Sequence, residues 1–196
     1  MCFIADLPRI VALLCLPLFI AGCAETGSSG GAAAADWKEY SVEATEQHDG
    51  YRIHYPKDWI LDTMPDGFGA VLSPAQGSDA ALIVSRAAKV RTPMEVARSI
   101  ETLQKMGTPN AETAISPALL SGHEAARIDV MNIRISQGSF VPQVAAMPGQ
   151  EGTPGRMAEI VADGPMSRFN MSYTVLEGDR ETQEVFELVL ERFSME

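Results

Sequence analysis

The sequence predicts an α+β fold in which a mostly antiparallel sheet is combined with two helices. Three observations lead to this prediction. Short runs such as Phe169–Val175 alternate apolar and polar side chains, with the period of two that marks half-buried strands. Turn-forming residues separate neighbouring runs, and Asp49-Gly50 is the first example. Two further segments, near 93–107 and from about Arg180, repeat apolar residues at helical spacing.

The first two strands are predicted at Val42–Ala44 and Tyr51–Tyr55, on either side of that first turn. The tyrosines and the isoleucine of the second strand share one face. Pro56 then ends the pairing because proline has no N–H to donate. Two more strands follow at Phe68–Ser73 and Ala80–Ala88. The second of these is apolar on both faces, which predicts a central strand covered on both sides.

The first helix is predicted to begin after Thr92 and to end at Gly107. The sequence Thr92-Pro93-Met94-Glu95 supplies an N-cap side chain, a proline at the first helical position and a glutamate at the capping-box position. Helical spacing then defines one predicted buried stripe. Its members are Met94, Ala97, Ile100, Leu103 and Met106.

The next segments are predicted to form a hairpin of Ala111–Leu119 and Glu124–Ile135. The apolar face of the second strand changes near Val130, and a β-bulge would cause such a change. Residues 137–155 are rich in glycine and proline and show little periodicity. They predict a long excursion, which is either a functional loop or a disordered segment.

A last hairpin and a helix are predicted to complete the domain. Met157–Ala162 and Phe169–Val175 alternate apolar and polar residues on either side of Asp163-Gly164-Pro165. The closing helix starts near Arg180 and is amphipathic. Its inward-facing residues are predicted to be Val185, Phe186, Val189, Leu190 and Phe193.

Residues 1–22 resemble a bacterial lipoprotein signal peptide. An apolar run from Ile10, too short to span a bilayer, ends in Leu18-Phe19-Ile20-Ala21-Gly22-Cys23. In signals of this kind, cleavage makes the cysteine the first residue of the mature protein. The cysteine carries a diacylglyceryl group and an N-acyl chain such as palmitate. We therefore expect Cys23 to be the lipidation site that anchors the protein to a membrane of the cell envelope. An ordinary secretory signal and a membrane anchor are the alternatives.

Three segments follow from this interpretation: the signal peptide 1–22, a flexible lipid-anchored tether 23–36 and one folded domain 37–196. The tether has almost nothing to bury, and the domain is long enough for one sizeable core. Ala24 after the cysteine is similar to lipoproteins sorted to the outer membrane, in an organism that has one. All three cysteines lie at or before Cys23, so the folded domain contains no disulfide.

The net charge of −11 makes nucleic acid an unexpected partner, because an acidic chain is repelled by phosphate backbones. The motif search points to no catalysis. The sequence contains no nucleophile elbow, no phosphate-binding loop and no dinucleotide fingerprint, and its three histidines lack metal-ligand spacing. We therefore expect a protein that is not an enzyme and that carries no cofactor and no metal.

Three short motifs resemble the PsbP-like family, which includes the photosystem II extrinsic protein and the DcrB and LpqN envelope proteins. The motifs are Tyr51-Arg-Ile-His-Tyr-Pro-Lys-Asp-Trp59, the Ser-Gly-x-x-Ala-x-Arg segment Ser121–Arg127, and Val189–Ser194 at the end of the last helix. The resemblance covers most of the domain. It implies a central antiparallel sheet sandwiched between helices, with no shared catalytic residues and with members that mostly bind or support other proteins.

Two functions remain open. The first is a non-enzymatic envelope lipoprotein that binds or stabilises a protein partner or a membrane complex. The second is an accessory lipoprotein that binds a small molecule or a metal in a pocket between sheet and helix. Trp59 more often pins a strand exit into the core than binds a ligand, but it is kept as a candidate. The candidate binding surface consists of Trp59, Phe140, Val141 and Met147.

Overall fold

The computed structural model describes residues 36–75, 77–135 and 152–196, apart from the side chain of Asp66. The signal peptide, Cys23 and nearly all of the tether lie outside these residues, as do positions 136–151. Within the described residues the elements in chain order are β1 (Trp37–Val42), β2 (Tyr51–Pro56), β3 (Ile60–Thr63), a short 3₁₀ turn (Pro65–Gly67), β4 (Gly69–Ser73), β5 (Ala81–Ala88), α1 (Pro93–Gly107), β6 (Glu112–Leu120), β7 (His123–Ile135), β8 (Thr153–Asp163), β9 (Ser167–Leu176), α2 (Arg180–Glu191) and β10 (Ser194–Met195).

The described strands form two antiparallel sheets. The smaller sheet has the order β1-β2-β10, and the larger has the order β3-β4-β5-β9-β8-β7-β6. Strand β5 pairs with β9, far along the chain, from Ala81 opposite Thr174 to Ala88 opposite Ser167. The mixed fold with antiparallel strands and two helices is therefore confirmed.

Local turn chemistry explains the β6–β7 hairpin. Ser121 and Gly122 occupy the turn with φ of 51° and 78°, the left-handed values that a two-residue hairpin requires. The predicted bulge in the second strand is confirmed, because the register with β8 shifts between Val130 and Ile133. Asn132 absorbs the shift with a φ of 61°.

The larger sheet separates two clusters of buried side chains. Along β8, Ile160 belongs to the first cluster, whereas Met157 and Val161 belong to the second. The first cluster also contains the buried residues of β2 and α2, namely Tyr51, Ile53, Tyr55, Phe186, Val189 and Leu190. The second contains Ala97 of α1 together with apolar residues of β7. The two helices therefore contribute to different cores on opposite faces of the sheet.

The expectation of one sheet sandwiched between helices is not confirmed. On one face, α2 shares its layer with the three-stranded sheet, whose β2 residues fill the same core. On the other face, α1 packs mainly against β6, β7 and β8. The part of this face formed by β5 and β9 is consequently less covered than the part beneath α1.

Several elements differ from the prediction. Strand β1 spans Trp37–Val42 and not Val42–Ala44, because Thr45 starts a turn in which its side chain accepts hydrogen bonds from the N–H groups of Gln47 and His48. The predicted excursion 137–155 is wrong at its end, since Thr153–Gly155 belong to β8 and pair with Ile133–Ile135. Strands β3 and β10 were not predicted.

Candidate functional site

The predicted binding residues divide between the core and the undescribed part of the chain. Trp59 is 9% exposed, and its ring meets Phe186 edge to face with centroids 5.0 Å apart. It lies in the core and contributes little surface to a partner. Phe140, Val141 and Met147, like Cys23, lie outside the described residues, so their roles stay predictions.

Helix α1 forms because its N-terminus satisfies its own hydrogen-bonding groups. Thr92 Oγ1 accepts from the N–H of Glu95 at 3.3 Å, and Glu95 Oε2 accepts from the N–H of Thr92 at 2.9 Å, as the capping box predicts. The predicted buried stripe is partly wrong. The helix buries Pro93, Ala97 and Gln104 and half-buries Met94 and Ile100.

The error concerns the second half of the helix, where Leu103 and Met106 are 58% and 77% exposed. Gln104 occupies the inward position because it follows Ala97 by seven residues on the same face. Leu103 follows Val96 and Ser99 on a neighbouring face, and Met106 lies about one turn further along. The helix thus directs a second, partly apolar stripe away from the core.

Leu103 of this second stripe, together with Val96, Ser99 and Ile100, forms one wall of a groove of about 400 Å³, and Met106 lies outside the lining. The other wall comes from the end of β5, the segment after it, and β9. We call this site the α1 groove, and its lining residues are Ala87, Ala88, Val90, Arg91, Val96, Ser99, Ile100, Leu103, Arg168 and Asn170. Val90 at its edge is 82% exposed. The groove exists because α1 lies over β6–β8 and leaves the β5–β9 region beside it open.

The charged residues that line the α1 groove are Arg91 and Arg168. Arg168 is buried and neutralised by Asp163, with Nε 2.7 Å from Oδ1 and Nη2 3.0 Å from Oδ2. Its Nη2 also donates to the carbonyl oxygen of Arg91, which fixes the segment between β5 and α1. Arg91 Nη1 donates to Ser99 Oγ at 3.1 Å. Lys89 is not part of the lining, and its Nζ donates to the carbonyl oxygens of Gly164 and Pro165.

Arg91 forms no ion pair within the described ranges, but it lies close enough to Glu95 to contribute, after the hydrogen bonds from Thr92, to the lowered pKa of that carboxyl. At the β9 side of the groove, Asn170 Oδ1 is buried and has no hydrogen-bond partner among the residues described here.

A carboxylate with no hydrogen bond or ion pair to another described residue lies on the same face of the sheet. Glu159 stands between Met157 and Val161 on β8, opposite Ile128 of β7 and Ser172 of β9. Desolvation by burial raises the pKa of its side chain to about 7. Sequence alone gave no signal for this group, because its burial depends on where α1 packs.

A hydrogen-bonded cluster on the opposite face joins α2 to the sheet. Arg127 donates to Glu187 at 2.7 and 2.8 Å and to Asp129, and the Tyr173 hydroxyl donates to Glu187 at 2.6 Å. Burial favours a higher pKa for Glu187, but the bonds from Arg127 and Tyr173 outweigh it and lower that pKa. The cluster includes the arginine of the Ser121–Arg127 motif, and its geometry indicates a structural link.

Two further searches of the described residues gave no site. In 36–75, 77–135 and 152–196, no three His, Cys, Asp or Glu side chains are grouped so that they could hold a metal ion. Over the same ranges, no helix has the length and apolarity needed to cross a membrane.

Comparison with known proteins identifies the fold. No protein-family model and no curated protein sequence matches the chain. The solution structure of cyanobacterial PsbP (CyanoP) from Synechocystis sp. PCC 6803 is similar, with a TM-score of 0.54 and 17% identity over 87% of this chain and 99% of that one. The crystal structure of the Saccharomyces cerevisiae Ran-binding protein Mog1p gives a TM-score of 0.51 and 13% identity, over 82% of this chain and 95% of the other.

LpqN of Mycobacterium tuberculosis, a protein involved in cell envelope biogenesis, gives a TM-score of 0.47 and 15% identity over 81% of this chain and 91% of its own. The similarity to the two structures with TM-scores above 0.5 agrees with the fold that the sequence motifs imply. The chain has a PsbP-like fold.

Proposed function

We propose that this protein is a non-enzymatic accessory lipoprotein of the cell envelope that binds a protein partner through the α1 groove. The observation that carries the proposal is the exposed apolar stripe of α1. Leu103 and Met106 extend into solvent beside a groove edged by Val90. Apolar side chains exposed together beside a concave surface mark interaction sites more often than scattered single ones do.

The anchor in this proposal is the lipid on Cys23. Cleavage before this cysteine gives a membrane-attached protein in which the residues up to Asp36 act as a flexible tether. The tether leaves the α1 groove free to reach a partner that is also at the membrane. The PsbP-like fold is compatible with such a role, since Mog1p of the same fold is a Ran-binding protein, but a fold does not by itself identify a partner.

The test is capture of partners from detergent-solubilised envelope membranes with the full acylated protein. The double variant Leu103→Ser, Met106→Ser should lose the partners that the unchanged protein captures. Leu119→Ser is the matched control, because Leu119 is 74% exposed but lies on β6, outside the groove. Equal capture by all three proteins would refute a binding role for the α1 groove.

Binding of a small molecule is the second candidate function. The groove volume of about 400 Å³ falls within the range of ligand pockets, and its apolar lining with a few polar groups fits such a site. An apolar fluorescent probe that binds the purified domain and is displaced by a membrane extract, with Leu103→Ser abolishing both effects, would favour this function over partner binding.

A further inference from the structure

We propose that Glu159 is a pH switch for α1, which stays packed on the sheet while this side chain is protonated and detaches when it ionises. The strands remain paired in the detached state. The groove wall formed by Val96, Ile100 and Leu103 moves with the helix, so the α1 groove is complete only in the protonated form. This behaviour of α1 does not depend on what the groove binds.

Glu159 lies within the core that α1 shares with the sheet. It stands on β8 between Met157 and Val161, two buried residues that belong to the same cluster as Ala97 of α1. The residue opposite on β7 is Ile128, which is fully buried. An ionised carboxylate at this position would lose most of its water to apolar neighbours, so the packed arrangement favours the protonated form.

No donor among the described residues compensates a charge on Glu159. Its carboxyl group accepts no hydrogen bond there, and burial alone accounts for its raised pKa of about 7. The β7 side chains on this face are apolar, and Ser172 opposite on β9 is neutral. The charged side chains on the elements around Glu159 are Glu95, Arg98, Glu101 and Lys105 of α1, Arg168 of β9 and Asp163 further along β8.

The charges closest to the sheet in this set already have partners. Arg168 is paired with Asp163, with Nε 2.7 Å from Oδ1. Glu101 accepts from Lys105 at 2.7 Å and from Thr113 of β6 at 2.8 Å, on the side of α1 away from the groove. An ionised Glu159 can therefore be stabilised only by water, and water must reach it from beneath α1.

Helix α1 is the element most easily displaced to admit this water. Its buried residues are Pro93, Ala97 and Gln104, whereas those of α2 are Phe186, Val189 and Leu190. Less apolar area therefore holds α1 than α2. The strands beneath α1 are joined by ladders of backbone hydrogen bonds. Local opening of α1 consequently requires less free energy than separation of the strands.

Backbone hydrogen exchange, followed by mass spectrometry on the full acylated protein in detergent, tests the proposal. A detached helix of 15 residues is only marginally stable in water, so its amides exchange once α1 leaves the sheet. Rates are measured at about pH 5.5 and about pH 7.5, corrected for the intrinsic pH dependence of exchange, and repeated at low urea concentrations. Glu159→Gln imitates the protonated side chain, and Glu184→Gln on exposed α2 surface is the control.

We expect the α1 amides to exchange through an opening that exposes less surface than complete unfolding and therefore depends only weakly on urea. The equilibrium constant of this opening should rise about twentyfold between the two pH values. Such a rise follows for a carboxyl group whose pKa is about 7 when α1 is packed and about 4.3 when α1 is detached. The rise should be absent in Glu159→Gln and preserved in Glu184→Gln.

Two results would overturn the proposal. In the first, α1 amides exchange only together with those of β8 and β9, at the urea dependence of complete unfolding, which would show that α1 has no separate opening. In the second, the rise with pH persists in Glu159→Gln or stays below about twofold in the unchanged protein, which would show that Glu159 does not control α1. Neither result bears on the proposed function, because no partner is present in the experiment.

Discussion

Asp49 and Ser167 hold each other through two hydrogen bonds, although 118 residues separate them in the chain. Asp49 Oδ2 accepts from the Ser167 N–H at 2.6 Å, and the Asp49 N–H donates to Ser167 Oγ at 3.2 Å. The same carboxylate oxygen also accepts from the N–H of Met166 at 2.8 Å. Through Asp49, the turn before β2 fixes the turn that joins β8 to β9.

Replacing Asp49 with Ala should destabilise the fold by about 2–4 kcal/mol. The substitution leaves the buried N–H of Ser167 without an acceptor, and a hydrogen bond to a charged group contributes about 1.5–3 kcal/mol. Asp49→Asn should lower the free energy of unfolding by less, since the asparagine side chain retains an acceptor oxygen. Urea denaturation measures both, with exposed Asp58→Ala as a control that should change the free energy of unfolding by under about 0.5 kcal/mol.

Phe193→Ala should lower the free energy of unfolding by about 3–5 kcal/mol. Phe193 is buried after the end of α2, where its ring packs on Tyr51 and Phe169 with centroids 6.0 and 5.5 Å away. Phe68→Ala is the comparison, because Phe68 is 46% exposed and its replacement should lower the free energy of unfolding by less. Similar losses for the two variants in chemical denaturation would place Phe193 outside the core.

The stability of the domain should fall as the pH rises through the pKa of Glu159. That pKa is raised to about 7 in the folded state by burial, so the folded protein keeps a proton that the unfolded chain has already released. The stabilisation is present at low pH and is lost as the pH rises from about 5 to 8, with an upper bound of about 3 kcal/mol.

Glu159→Gln should remove this part of the pH dependence and be more stable than the unchanged protein at about pH 8. Denaturation midpoints at several pH values provide the measurement. Glu184→Gln, on the exposed side of α2, should preserve the original slope. An unchanged slope in Glu159→Gln would show that Glu159 is ionised in the folded protein across this range.

Cys23→Ala should release the protein from membranes. The residues 24–36 that follow contain no apolar segment able to hold the domain there once the lipid is missing. Fractionation in high salt measures the change, because salt removes weak electrostatic contacts to the membrane. Continued membrane association of the variant would refute the lipoprotein interpretation.

The features that were predicted correctly depend on residues close together in the chain. The capping box at Thr92 and Glu95 and the Ser121-Gly122 turn are decided within a few positions, so sequence was enough. Strand β10 is the opposite case. Ser194 and Met195 become a strand because they meet Arg52 and Tyr51, and nothing next to them in the chain indicates that pairing.

The candidate site was predicted less well for a related reason. Leu103 and Gln104 are neighbours on a helix, and only the position of α1 over β6–β8 decides which of them is buried. The predicted residues Phe140, Val141 and Met147 stay to be tested. A deletion aimed at them must end before Thr153, since β8 starts there.

The pairing of β5 with β9 also has a kinetic consequence. It joins one set of strands, β3–β5, to a second set, β6–β9, in which each pair of neighbours is consecutive in the chain. Pairing across such a distance closes a long loop, and such contacts form late in folding because the entropy of closure must be overcome first. The α1 groove crosses this junction, with Ala87 and Ala88 of β5 and Arg168 and Asn170 of β9 in its lining. An occupant of the groove would therefore clamp the two halves of the sheet together and slow their separation, so that the lifetime of the folded domain becomes a readout of binding.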